Sequence, residues 1–201
     1  MTRAILFDLG QVLVPFDLER GYRALAPYCS YAPQEIRARI AASGLVRPFE
    51  EGRIPAAEFV RGISAALGLE VSYEQFCELW GSIFLPETLV PESLVEALAR
   101  RFRLLILSNT NVLHYAMIEQ RYGIVRRFHD RVLSYEVGAL KPDERIYREA
   151  LRRAGCEPGE CFYVDDIPEY VEAARRLGII AVQFRSAEQL VRDLQAHGIS
   201  W

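Results

Sequence analysis

Four short segments carry residue types suited to phosphoryl chemistry: Asp8, Ser108-Asn109-Thr110, Lys141-Pro142 and Asp165-Asp166. A carboxylate nucleophile can form an acyl-phosphate and so divide one hard displacement into two easier ones. Such a site needs a cation to offset the repulsion between carboxylate and phosphate. It also needs donors for the phosphate oxygens. Asp8 supplies the carboxylate, and Asp165-Asp166 supplies paired hard oxygen ligands that suit Mg²⁺. Ser108 and Asn109 offer a hydroxyl, an amide and backbone N–H groups. Lys141 offers an ammonium that neutralises phosphate or nucleophile, and Pro142 holds it extended. Taken singly, each segment reads equally well as a turn, a cap or a surface pair. Their order, spacing and strand context together point to a metal-dependent phosphate site.

The elements that position these residues are legible as apolar runs. Ala4–Phe7, Leu104–Leu107, Arg131–Leu133, Phe162–Val164 and Ile179–Phe184 read as strands. Helical patterns lie between them, at about Glu92–Arg100, Glu144–Ala154 with Gly155 as C-cap, Glu169–Leu177 stopped by Gly178, and Ala187–Ala196. Alternating strand and helix predicts an α/β fold with a doubly wound parallel sheet and right-handed crossovers. Asp8, Ser108 and Asp165 each end a strand, at the carboxyl edge where open α/β sheets bind ligands.

Residues 16–85 break the alternation. They contain no strand pattern and read as four helices, at about Asp17–Ala26, Pro33–Ala42, Ala56–Leu67 and Tyr73–Phe84. Ser72 suits an N-cap with Gln75 completing a capping box, and Pro55 suits a helix start. The division expected is a core domain of residues 1–15 and 86–201, with a helical cap domain of residues 16–85 hung over the site.

Composition narrows the function classes. The chain has 201 residues, 51% hydrophobic and 25% charged, enough to bury a sizeable core. A net charge of −3 with scattered basic residues gives no reason to expect nucleic acid. No apolar run approaches the ~18 residues that span a bilayer, and no secretory signal is evident, so a cytoplasmic location is expected. The four cysteines (Cys29, Cys77, Cys156, Cys161) form no C-x-x-C, which argues against zinc or a disulfide framework. The histidines His114, His129 and His197 lack metal-ligand spacing, and His114 is expected on a helix surface. The partner expected is a small-molecule phosphate ester, with no nucleic acid and no membrane, bound by a monomer or homodimer.

The segments Phe7-Asp8-Leu9-Gly10-Gln11-Val12-Leu13, Leu107-Ser108-Asn109-Thr110-Asn111, Lys141-Pro142 and Val164-Asp165-Asp166 resemble the four motifs of the haloacid dehalogenase-like hydrolase superfamily. The resemblance spans the chain and extends to the helical insertion after the first motif. The form of the first two motifs looks most like bacterial phosphatases acting on α-D-glucose 1-phosphate and similar small phosphates. It implies a Rossmann-like core and a Mg²⁺-dependent phosphomonoesterase working through an aspartyl-phosphate. By the resemblance, Asp8 is nucleophile and Mg²⁺ ligand, the Gly10 carbonyl is a second ligand, and Asp166 is a direct ligand. Asp165 supports Asp166 or binds through water. Ser108 and Asn109 bind the phosphoryl group and Lys141 steadies it. The alternatives are a non-catalytic phosphate-binding or regulatory relative and a metal-free 2-haloacid dehalogenase. A phosphomutase is disfavoured.

The chain departs from the family pattern at two points. Relatives carry a second Asp two residues after the nucleophile, as general acid and base; here that position is Gly10. Such help is worth ~10²–10⁴-fold, so its loss implies a slow enzyme, a good leaving group or a substitute. Gln11 can only orient water, and Asp17 is a candidate substitute that also suits an N-cap. After Asp165-Asp166 the usual Asn is missing, and Glu169 is either a supporting acid or a first-turn charge. In the loop Ser43–Arg53, expected to face Asp8, the residues able to read a substrate are Arg47, Phe49, Glu50 and Arg53.

Overall fold

A computed structural model describes residues 1–201. The chain runs β1 (Ala4–Phe7), α1 (Leu18–Leu25), α2 (Pro33–Ser43), α3 (Val46–Glu50), α4 (Ala56–Leu67), α5 (Tyr73–Trp80), α6 (Glu92–Ala99), β2 (Arg103–Ser108), α7 (Val112–Arg121), β3 (Asp130–Leu133), α8 (Ser134–Val137), α9 (Glu144–Ala154), β4 (Cys161–Asp165), α10 (Pro168–Arg176), β5 (Ile180–Gln183) and α11 (Ala187–Ala196). The strands form one parallel sheet in the order β3-β2-β1-β4-β5. This is the doubly wound α/β fold that the alternating pattern predicts. The chain reverses direction across β1, so the crevice at the carboxyl ends of β1 and its neighbours is the switch point.

The central strands β1, β2 and β4 are apolar along their buried stretches because both sheet faces are covered there. Ile5, Phe7, Leu104, Ile106, Phe162 and Val164 join one buried cluster, packed under α6, α7 and α11. Ala4, Leu6, Leu105, Leu107, Cys161 and Tyr163 join a second, under α9 and α10. The period of two carries Asp8 in phase with Leu6, and Asp165 in phase with Tyr163. Both carboxylates therefore stand on the α9/α10 side of the sheet edge. At the start of β4 the Cys156 and Cys161 thiols lie 2.7 Å apart, so the spacing that looked scattered conceals one close pair.

The helices α1 to α5 enclose a third cluster of their own, built on Ile36, Phe59, Ile63, Leu67 and Phe76. Phe59 stacks on Phe49 (4.1 Å between centroids) and meets Phe76 and Trp80 edge-on. Ser72 accepts from Gln75 N at 3.1 Å and caps α5. The expected helix Tyr73–Phe84 is shorter, closing at Trp80 into a 3₁₀ turn over Gly81–Ile83. The expected loop Ser43–Arg53 contains α3, which buries Phe49. One aromatic residue in five gave too short a signal to register as a helix.

The insertion touches the core closely at Gly52. Its φ is +66°, and a Cβ there would lie 2.1 Å from the carbonyl oxygen of Tyr135 at α8. Gly44 has a similar φ of +67° with open space around it. Alanine at either site should lose roughly 1 kcal/mol to left-handed backbone. Gly52→Ala should lose at least ~1 kcal/mol more, because the α3–α8 contact must open. Urea unfolding of both variants checks this, and equal losses would show that the insertion yields freely at this contact.

Candidate active site

Lys141, of the third segment, lies among the other three in space, and its ammonium is almost fully buried. It donates to Asp8 Oδ1 at 2.8 Å, Asp165 Oδ2 at 2.6 Å and the Leu107 carbonyl at 3.1 Å. Three donors thus meet three acceptors. Lys141 follows α8, and its peptide bond to Pro142 is cis. Asn109 clamps this turn: its Oδ1 accepts from Lys141 N at 2.7 Å, and its Nδ2 donates to the Lys141 carbonyl at 3.1 Å. Nδ2 also lies 3.3 Å from Tyr170 Oη. The amide assigned to phosphate is thus engaged in positioning Lys141.

Asp8 lies buried at the end of β1, where Leu9 N donates to its Oδ1 at 2.7 Å. Its other oxygen is free of protein donors. Asp165 is fully engaged: it accepts from Lys141, from Ile167 N at 2.8 Å and from Tyr163 Oη. Asp166 is half-buried, and its carboxylate is free of such partners. Carboxylate oxygens of Asp8, Asp165 and Asp166 lie within 4.8 Å of one another. Three clustered carboxylates face one ammonium, a hard-oxygen imbalance that a divalent cation would correct. The cluster fits a divalent cation such as Mg²⁺, with the oxygens of Asp8 and Asp166 that no protein donor meets open to it.

Burial is the largest influence on Asp8 and raises its carboxyl from 3.8 to about 7; Lys141 opposes the rise and Asp165 adds to it. Asp166 is also raised, by burial and then by Asp165. Lys141 stays above its usual range because both carboxylates outweigh its burial.

Ser108 is buried at the end of β2 with only a weak 3.4 Å contact to the Asn109 carbonyl, so its hydroxyl remains available. The loop after it is pinned by Ser134, which accepts from Thr110 N at 3.0 Å and donates to Thr110 O at 2.9 Å. Ser134 and Tyr163 escape a reading of the sequence by motif. Their signals are positional: Ser134 follows β3 at the same sheet edge, and Tyr163 precedes Asp165 by one strand period.

The remaining candidates stand elsewhere. Asp17 caps α1, accepting from Glu19 N at 2.9 Å and pairing with Arg23. Arg47 and Arg53 are exposed and both pair with Glu51, at 2.9 and 2.6 Å. Phe49 is core, while Glu50 lines a cavity. Glu169 sits in the first turn of α10. Gln11 takes a left-handed φ of 54° and donates to the Phe16 carbonyl at 2.9 Å. The Phe16 ring rests over Gly10, with Cε1 2.9 Å from where a Cβ would stand. His114 is not on a helix surface: it stacks on Trp80 and meets Phe84 edge-on. Its Nε2 donates to the Trp80 carbonyl at 3.2 Å while its Nδ1 accepts from Asn111 Nδ2 at 3.1 Å, and burial lowers its pKa to about 4.

Residues 2–178 match the family model for haloacid dehalogenase-like hydrolases. The chain is 25% identical over 190 residues to D-ribitol-5-phosphate phosphatase of Bacteroides thetaiotaomicron, covering 91% of this chain and 92% of that one. Over 66 residues, 32% of this chain and 28% of the relative, it is 41% identical to glyceraldehyde 3-phosphate phosphatase of Methanopyrus kandleri. A crystal structure of a Bacteroides thetaiotaomicron HAD family enzyme, in complex with magnesium and inorganic phosphate, superposes with a TM-score of 0.82. It shares 28% identity, over 92% of this chain and 96% of that one.

The raised Asp8 carboxyl has a measurable consequence. Without metal, the folded protein keeps a proton on Asp8 between about pH 4 and 7 that the unfolded chain has released. This group's contribution to stability therefore falls as pH rises through that window. Urea midpoints measured in EDTA should fall with pH less steeply for Asp8→Asn than for the unsubstituted protein. Glu50, also raised to about 7, is present in both and cancels. Parallel slopes would show that Asp8 stays ionised.

Proposed function

The chain belongs to the haloacid dehalogenase-like hydrolase family, and on that premise we propose that it is a Mg²⁺-dependent phosphomonoesterase acting on a small phosphorylated metabolite. The observation that carries this reading is the Asp8 carboxylate, held by Lys141 at the carboxyl edge of the central strand beside Asp165 and Asp166. The free oxygen of Asp8 attacks phosphorus and the bond from phosphorus to the ester oxygen breaks, the departing alkoxide taking its proton from solvent because Gly10 has no acid to give. Water then hydrolyses the aspartyl-phosphate, releasing phosphate and returning the carboxylate. Asp8, Asp166 and the Gly10 carbonyl would hold Mg²⁺, which would supply charge neutralisation and alignment. Lys141 keeps Asp8 oriented and adds positive charge beside the transferring group. Ser108 and the N–H groups after β2 receive phosphate oxygens, while Asn109 and Ser134 hold that loop and Lys141 in place. Residues 16–85 act as the cap that closes over the ester. Sugar-type phosphates are the first candidates, on the names of the two curated relatives.

The carboxylate cluster disfavours a haloacid substrate, whose own carboxylate it would repel. The Phe16 ring over Gly10 favours a second reading, phosphate binding without efficient turnover, because it fills the space of the missing acid.

Phosphate release should require both Mg²⁺ and Asp8. Asp8→Asn should lose at least ~10³-fold, while keeping the native unfolding midpoint within about 1 kcal/mol at neutral pH. Asp166→Asn should raise the Mg²⁺ concentration needed for half-maximal rate by about tenfold or more. Release from acetyl phosphate and a panel of sugar phosphates measures all three, and metal-independent release would overturn the reading. Gly10→Asp alone should give little gain, since its Cβ meets Phe16. With Phe16→Leu added, turnover of alkyl phosphates should rise by ~10-fold or more if general acid help limits the rate. A gain from Gly10→Asp alone would show that Phe16 moves aside readily.

A further inference from the structure

A cavity of about 300 Å³ lies where the helical insertion meets the core. Its wall is mostly apolar, with Phe16, Leu18, Tyr22 and Trp80 around it and Glu50 and His114 as its charged or titratable members. Phe16 connects it to the nucleophile loop, because the same ring rests over Gly10, two residues from Asp8. Asp8, Ser108, Lys141 and Asp166 do not line the cavity, so Phe16 is what it shares with the nucleophile loop. The expected specificity residues Arg47 and Arg53 turn instead to Glu51 and solvent, so neither is free to take a second phosphate or a carboxylate.

We propose that this cavity is the leaving-group subsite and selects phosphate monoesters whose alcohol carries a flat apolar ring with a hydrogen-bonding group, the ring lying among Phe16, Tyr22 and Trp80 and the polar group meeting Glu50. The proposal rests on the phosphomonoesterase reading and sets a ring-bearing alcohol in place of the sugar-type candidates that the relatives' names suggest. Aromatic walls favour a ring by stacking and by area removed from water. A polyol would leave hydroxyls unpaired against such walls. Glu50 is the polar exception. Burial alone pushes its carboxyl up to about 7, so near neutrality it can both donate and accept. His114 has no such freedom, since Trp80 O and Asn111 occupy both its nitrogens.

Phenyl phosphate and 4-biphenylyl phosphate test this, because their leaving groups are chemically alike and differ in apolar reach. The biphenylyl ester should have the higher kcat/KM by roughly tenfold or more. Leu18→Trp, at the half-exposed rim, should bring that ratio close to one. A ratio near one in the unsubstituted protein, or one that survives Leu18→Trp, overturns the subsite. A binding measurement stands apart from turnover. With Trp201→Phe, Trp80 is the sole indole, and 4-biphenylyl phosphate should quench it at concentrations where inorganic phosphate does not. Quenching without turnover of any ester, acetyl phosphate included, would sink the phosphatase reading and keep the subsite. Turnover of acetyl phosphate without quenching would do the reverse.

Discussion

The site depends on one buried ammonium. Asp8 and Asp165 end adjacent parallel strands on the same face of the sheet, so the pairing that builds the core also forces two carboxylates together. Lys141 is what makes that tolerable. Removing the ammonium would leave two buried carboxylates uncompensated, a loss that typically costs about 3–5 kcal/mol, so the turn that carries Lys141 is under structural as well as chemical constraint. This accounts for how tightly Asn109 grips the Lys141 backbone on both its N–H and its carbonyl. It also accounts for Asp165, whose oxygens are spent on Lys141, Tyr163 and Ile167 N, while Asp166 keeps its carboxylate open.

Much of this was legible in the sequence, for identifiable reasons. Strands covered on both faces read as unbroken apolar runs, and Asp8 and Asp165 stand out because each interrupts one. Roles that depend on contact across the fold were not legible. Ser134 matters because β3 lies beside β2 and brings its hydroxyl to the Thr110 peptide. Asn109 reads as a phosphate donor in its motif, yet the turn before α9 offers it two backbone partners at closer range. His114 reads as a surface residue because its helix has a weak apolar face, and the insertion's Trp80 and Phe84 cover it. The arginines of the expected loop look available in sequence but have Glu51 as their nearest partner, and α3 turns Phe49 inward instead.

The insertion and the core meet through contacts of different chemistry. On one side backbone meets backbone, with Gly52 against Tyr135. On the other, an imidazole bridges them, reaching from the Trp80 carbonyl of the insertion to Asn111 of the loop after β2. The same loop carries Ser108, so the segment expected to receive phosphate oxygens is two hydrogen bonds from the helices that cover it.

The central strand has a consequence for when the molecule becomes competent during synthesis. β1 is made well before its neighbours, which begin at Arg103 and Cys161, so both flanks of Asp8 wait on distant chain. The helices between close on sequence-local contacts and can fold as soon as they leave the ribosome. A nascent chain therefore carries a finished roof over an unbuilt site. Since Asp165 comes last of the paired charges, the surroundings of Asp8 are complete only once the chain has passed β4.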